Sequence, residues 1–67
     1  MIELRLNQDQ TKKFWSESCN AVEWDMMALD NYLNIKYTIV KRQWTMDRCL
    51  TLTFADEQYK TWLLLYL

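Results

Sequence analysis

Neither glycine nor proline occurs in the 67 residues of this chain. No motif in it constrains the fold as much as that absence. Glycine is the usual residue where the backbone turns left-handed, and proline pre-sets tight turns. Every reversal here must be made by residues that carry a Cβ and lack the proline ring. Asn, Asp and Thr are the turn formers that remain. No Gly- or Pro-rich linker divides the chain, and no repeat or low-complexity tract interrupts it. Residues 1–67 are expected to form a single domain.

Hydrophobic spacing then divides the chain. Residues 2–6, IELRL, alternate, with Ile2, Leu4 and Leu6 on one side and Glu3 and Arg5 on the other. Period two predicts a half-buried strand. From Gln8 the period changes. Trp15, Cys19, Val22, Met26, Leu29 and Leu33 follow 4-3-4-3-4 spacing, which is a helical stripe. Phe14, Ala21, Ala28 and Ile35 widen its flank. One helix over 9–34 would run about 39 Å at 1.5 Å per residue, long for so short a chain. A break near Ser18–Asn20 is the alternative, with Asn20 as cap and Glu23 as its third-position acid. The pattern leaves one helix or two open. Trp24 and Met27 fall off the stripe, which marks either a break or a second contact surface.

Residues 35–43, IKYTIVKRQ, alternate again, with Ile35, Tyr37 and Ile39 inward and Lys36, Thr38 and Arg42 outward. A turn around Trp44–Asp47 leads into a strand over 48–54. Leu50, Leu52 and Phe54 share one face of it, and Cys49, Thr51 and Thr53 share the other. Asp56 is placed to cap a final helix. Tyr59, Trp62, Leu63, Tyr66 and Leu67 form the core stripe of that helix. Leu64 and Leu65 lie off the stripe, so its end is apolar nearly all round.

The order β-α-β-β-α predicts an α+β fold. Strands 1 and 2, joined by a helical crossover, should run parallel. Placing strand 3 between them gives a three-stranded mixed sheet of order 1-3-2 with both helices on one face. This is the split βαβ arrangement, half of a ferredoxin-like fold.

Composition restricts function more than it assigns one. Histidine is absent, and the two cysteines, Cys19 and Cys49, form no CxxC pair. The usual zinc sets are therefore missing, and so is the commonest general base. Ser16, Ser18 and the thiols have no base to activate them. No glycine loop can cradle a phosphate. The chain is expected to have no catalytic activity, no cofactor and no metal. Cys19 falls on the helical stripe, where a thiol packs as a small hydrophobe. Cys49 has the opposite sheet parity, so no bridge between them is expected. Charges within the first apolar run do not fit a signal peptide, and no apolar run approaches the roughly 20 residues of a membrane span. A cytoplasmic protein with reduced thiols is the expectation.

Hydrophobic residues make up 51% of the chain and aromatics 15%. A chain this short buries only about 60% of its unfolded surface, so the surplus points to oligomerisation. The interface candidates are Trp24, Met27, Trp62, Leu64, Leu65 and Leu67. The expected role is a small protein-interaction module, homodimeric in the first reading. The second reading is nucleic-acid binding on a basic outer sheet face. Net charge is −1, but Glu17, Glu23, Asp25 and Asp30 precede a cationic stretch with Lys36, Lys41, Arg42 and Arg48. With Trp44, those four cations would make the basic face. The central strand, however, offers threonines where nucleic-acid-binding sheets stack aromatics.

The final segment, LTLTFADEQYKTWLLLYL (50–67), resembles the C-terminal strand–helix ending of short accessory proteins of tailed bacteriophages, including marine cyanophages. Thr53, Phe54, Asp56, Glu57, Tyr59 and Trp62 carry the likeness. The resemblance implies a phage or metagenomic source. It also implies a role in binding and redirecting a host protein in the host cytoplasm.

Overall fold

The computed structural model describes all 67 residues. Three strands and three helices follow one another as β1 (Ile2–Arg5), α1 (Gln8–Ala21), α2 (Met26–Tyr37), β2 (Ile39–Trp44), β3 (Leu50–Phe54) and α3 (Glu57–Tyr66). β3 lies between β1 and β2, giving the order 1-3-2. Both of its ladders are antiparallel, so β1 and β2 run parallel to each other without touching. The sheet expected as mixed thus contains antiparallel pairings only, because the two parallel strands are kept apart by the third.

Register sets the two faces. Leu4 pairs with Leu52, and Ile2 and Ile39 flank Phe54. Leu4, Ile39, Leu52 and Phe54 meet Phe14 and Cys19 of α1, Leu29 and Leu33 of α2 and Leu63 of α3 in one hydrophobic cluster. All three helices therefore cover a single face. The other face carries Glu3, Arg5, Lys41, Gln43, Thr51 and Thr53. Thr11 enters the core from α1, where its hydroxyl accepts the Leu50 backbone N–H at 3.1 Å. A buried polar group is thereby satisfied at the entry to the central strand.

The crossover is two helices, α1 and α2, and the break lies at Val22–Asp25, not near Ser18–Asn20. Asn20 is still helical. The cap of α2 is Asp25, whose Oδ1 accepts from Met27 N at 3.0 Å. Asn7 opens α1 with a reciprocal capping box: Gln10 N donates to Asn7 Oδ1 at 2.8 Å, and Asn7 N donates to Gln10 Oε1 at 3.0 Å. Asp56 caps α3 as its position predicts, accepting from Gln58 N at 3.0 Å. Residues 35–37, expected in the second strand, are the last turn of α2. Ile35 consequently faces solvent, while Tyr37 packs on the core.

The missing glycines leave a visible mark. Four non-glycine residues hold positive φ: Glu23, Trp24, Thr38 and Arg48. None is Asn or Asp, and only Thr38 belongs to the expected turn formers. At the end of α1, Trp24 N donates to Cys19 O at 2.8 Å and Glu23 N to Asn20 O at 3.1 Å. That pair of bonds is the Schellman motif, and Glu23 occupies the position where glycine is usual. Thr38 ends α2 at φ 54°. A β-branched residue there is strained, and its buried hydroxyl has no partner. Arg48 closes the β2–β3 hairpin at φ 61°, after a turn in which its N–H donates to Thr45 O at 3.1 Å. Three-residue hairpin loops of this kind ordinarily place glycine at the left-handed position.

Two predictions follow from these turns. Left-handed backbone costs a residue with a Cβ about 1–2 kcal/mol, and glycine's extra chain entropy returns about half of that. Thr38→Gly also deletes an unsatisfied hydroxyl. It is expected to stabilise the fold by about 1 kcal/mol, a rise in Tm of roughly 4–8 °C for a domain this size. Thermal melting followed by circular dichroism checks it, and a lower Tm would mean that the threonine methyl contributes more than the strain costs. At the hairpin, the Asp47 carboxylate receives the Thr45 hydroxyl and the Arg5 guanidinium, the latter at 3.0 Å. The Thr45 bond first, with the Asp47 backbone and Arg5 adding to it, holds the Asp47 carboxyl below the usual carboxylate range. A lowered pKa contributes stability above the unfolded value, near pH 4, and loses it as pH falls through the folded one. The hairpin tip is therefore expected to loosen on acidification below about pH 4. Relative to the intrinsic exchange rate at each pH, the protection of the Arg48 and Cys49 amides should fall there in the native chain but not in Asp47→Asn.

Candidate functional site

Two surfaces hold the chemistry of this molecule: the outer side of α3 and a cleft where the three helices meet. α3 follows its sequence pattern only in part. Leu63 is buried, and Tyr59 and Leu67 pack against the core. Trp62 and Tyr66, expected on the same stripe, remain half-exposed, because the helix presents a narrow edge to the sheet. Leu64 is also partly open, and Leu65 is 81% exposed. Trp62 and Leu65 stand one turn apart on one side of the helix. The Trp62 ring is braced edge-on by Tyr59, with centroids 5.1 Å apart. Four large apolar side chains thus lie open along one ten-residue helix.

The other interface candidates, Trp24 and Met27, lie at the α1–α2 turn. Trp24 is 59% exposed and Met27 93%. The Trp24 indole donates to Asn20 Oδ1 at 2.9 Å. Together with the Schellman bonds, this fixes an exposed ring on a left-handed backbone. Met26, placed by spacing on the core stripe, is partly exposed as well, because the helix break rotates it out of line.

The cleft between α1, α2 and α3 has a volume of about 480 Å³. Phe14, Ala21, Leu63 and Leu67 supply much of its apolar lining, and Tyr32, Tyr37 and Tyr66 line it too. Lys36 stands at its α2 side. Its ammonium donates to the Tyr32 hydroxyl at 3.0 Å and lies 5.5 Å and 5.3 Å from the centroids of the Tyr32 and Tyr37 rings. The Tyr32 hydroxyl bond raises the Lys36 pKa above the ordinary lysine value, against partial burial and with help from Tyr37. On the α1 side, Tyr66 donates its hydroxyl to Glu17 Oε2 at 2.5 Å. That bond first, then burial and the Glu17 charge, pushes the Tyr66 phenol up. Lys13 covers the Tyr66 ring at 4.6 Å. An apolar cleft with a few convergent polar groups and perturbed pKa values has the character of a ligand site.

The five residues of the expected basic face are not brought together. Val40 is an extra residue in β2, and the register shifts between Ile39 and Lys41. Past that bulge the parity of the strand inverts. Arg42 pairs with Leu52 and Trp44 with Leu50, which puts both on the helix side instead of the outer face. There Arg42 binds Asp30 Oδ1 at 2.7 Å and stacks 5.4 Å from the Trp15 ring. Trp44 meets Trp15 edge-on at 5.1 Å. Both are engaged in holding β2 against α1 and α2. Lys36 belongs to the cleft and Arg48 to the hairpin. Lys41 alone of the five stays on the outer face.

Cys19 and Cys49 are both buried and unbridged. Burial pushes the Cys19 thiol up, so it sits as the small hydrophobe its spacing suggests. No group of three His, Cys, Asp or Glu side chains is arranged to hold a metal ion. No helix is long and apolar enough to cross a membrane.

Sequence reasoning missed the cleft. Its signal was present: Tyr32 and Lys36 are four residues apart, a helical i,i+4 pair. Ending the helix at Asn34 and reading Lys36 as an outward strand residue concealed it. The chain matches no protein-family model, no curated protein and no solved structure.

Proposed function

We propose that this chain is a small non-catalytic protein-interaction module that pairs with a second copy of itself through α3. One observation carries the reading. Trp62, Leu64, Leu65 and Tyr66 stand open on a single short helix whose one fully buried residue is Leu63. Isolated exposed apolar side chains are ordinary, but several together on one element mark an interaction surface. Tryptophan and tyrosine are the residues most enriched in such interfaces. A two-fold pairing of α3 with its copy brings each Trp62 and Leu65 against the same patch of the partner. It also supplies the stability that a single core of this size lacks.

Solution mass by light scattering across a dilution series tests the reading. The expected result is twice the chain mass at high concentration, falling toward the chain mass on dilution. A monomer at every concentration would overturn self-pairing. The same apolar face would then await a foreign protein, and the resemblance of residues 50–67 to phage accessory proteins would favour one from a host cell. The nucleic-acid reading has no comparable support, since Arg42 and Trp44 are engaged against α1 and α2.

A further inference from the structure

The geometry points to a second binding site, which adjoins the pairing face of α3 at Tyr66 but does not rest on that pairing: we infer that the three-helix cleft takes a small amphipathic monocarboxylate, with its anionic head at Lys36 and its apolar body among Phe14, Leu63 and Leu67. Lys36 is a cation set at the edge of a largely apolar cleft with no carboxylate in contact with it. The ion pairs of the chain are Arg5–Asp47 and Arg42–Asp30, so no carboxylate lies within 4.0 Å of the Lys36 ammonium. What it has instead is the Tyr32 hydroxyl as acceptor and two aromatic rings at cation–π distance.

That arrangement pre-forms an anion receptor. The Tyr32 oxygen accepts from Lys36 and leaves its own O–H without an acceptor in the protein. The Tyr37 hydroxyl likewise has no acceptor. An ammonium and two phenols can together give a carboxylate three hydrogen bonds, and bonds to an ionised acceptor are the strong ones. The two rings hold the lysine chain in place, so little order is lost when the anion arrives.

The opposite wall decides the rest of the ligand. Glu17 lines the same cleft, bonded to Tyr66. Its negative charge discriminates against dianions, and the Tyr66 hydroxyl holds it on the α1 side, beyond ion-pair distance of Lys36. Between the two ends the walls are phenyl, leucine and tyrosine side chains that want apolar surface. The volume, about 480 Å³, falls within the range of small-molecule pockets. It suits a medium-chain or aryl-alkyl acid better than a nucleotide or a sugar.

Calorimetric titration with decanoate, below its micelle concentration, tests the assignment, with decanol and decylamine as matched probes. Decanoate is expected to bind at least tenfold more tightly than either. Its binding should shift the amide signals of Phe14, Tyr37 and Leu63. Lys36→Met, which keeps the length and loses the charge, should cost decanoate at least tenfold and leave decanol unchanged; Lys36→Arg should retain most of the affinity. A circular-dichroism melt on each variant confirms that the comparison is between folded chains. No decanoate binding, or binding equal to that of decanol, would overturn the site. A preference for decylamine would assign the cleft to Glu17 instead of Lys36. Shifts confined to α3 residues outside the cleft would mean the acid merely coats the pairing surface. None of these outcomes depends on the chain being a dimer, because the titration can be run at dilutions where it is monomeric.

Discussion

Phe54→Ala is expected to leave most of the population unfolded at 25 °C. Phe54 is 0% exposed. It stands on the central strand, where Ile2 and Ile39 are its direct partners on either side. Removing it opens a cavity under both edge strands at once, and neither can close over it without breaking its ladder. Phenylalanine-to-alanine changes in such sites cost about 3–5 kcal/mol. A single core in a domain of this size rarely supplies more than about that amount. The difference is near zero, so the cooperative urea transition should disappear or begin in the absence of urea. Thr53→Ala, one residue away on the outer face, should lower the midpoint only slightly. A Phe54→Ala midpoint close to that of the native chain would mean that the core is not the seat of stability. Protein concentration must be held fixed in the comparison, because a pairing chain gains stability by mass action.

The same central strand was the most legible part of the sequence. Leu50, Leu52 and Phe54 alternate cleanly with Thr51 and Thr53, and β3 reproduces that pattern without interruption. A strand paired on both sides and covered on one face leaves its period intact. Asp56 was legible for a similar reason: a cap is a local device, and nothing distant alters it. The edge strand β2 was different. Ile35, Lys36 and Tyr37 alternate, but three residues cannot separate a strand from the last turn of a helix, and α2 takes them. Val40 then adds a residue that no spacing rule announces. Every side chain after it changes face, which is why simple alternation puts Arg42 and Trp44 on the wrong side of the sheet. The α1–α2 break was misplaced because a strong cap residue, Asn20, precedes the real one, Asp25. The Schellman turn is closed by glutamate instead of glycine, so its one signal in the sequence is that Trp24 and Met27 fall off the stripe. The cleft was lost with the end of α2, since its lysine and two tyrosines become neighbours only when that helix runs to Tyr37.

Leu65→Asp is expected to abolish self-association while leaving the fold intact. Leu65 is 81% exposed in the single chain, so its replacement removes almost no contact from the core. Surface substitutions of that kind usually change stability by no more than about 0.5 kcal/mol. Aspartate near a helix C-terminus adds a dipole penalty of similar size, which Leu65→Lys would avoid while still placing a charge on the same spot. In a two-fold pairing the position occurs twice, so two unpaired charges enter a desolvated apolar contact together. The dimer dissociation constant should rise at least about 30-fold, equivalent to about 2 kcal/mol. Two readouts follow: the mass falls to that of one chain, and Tm no longer depends on concentration. Met27→Asp supplies the contrast, since Met27 is even more exposed, at 93%, but sits at the α1–α2 turn. If it dissociates the dimer and Leu65→Asp does not, copies meet through Trp24 and Met27, and α3 is left as the face for another protein.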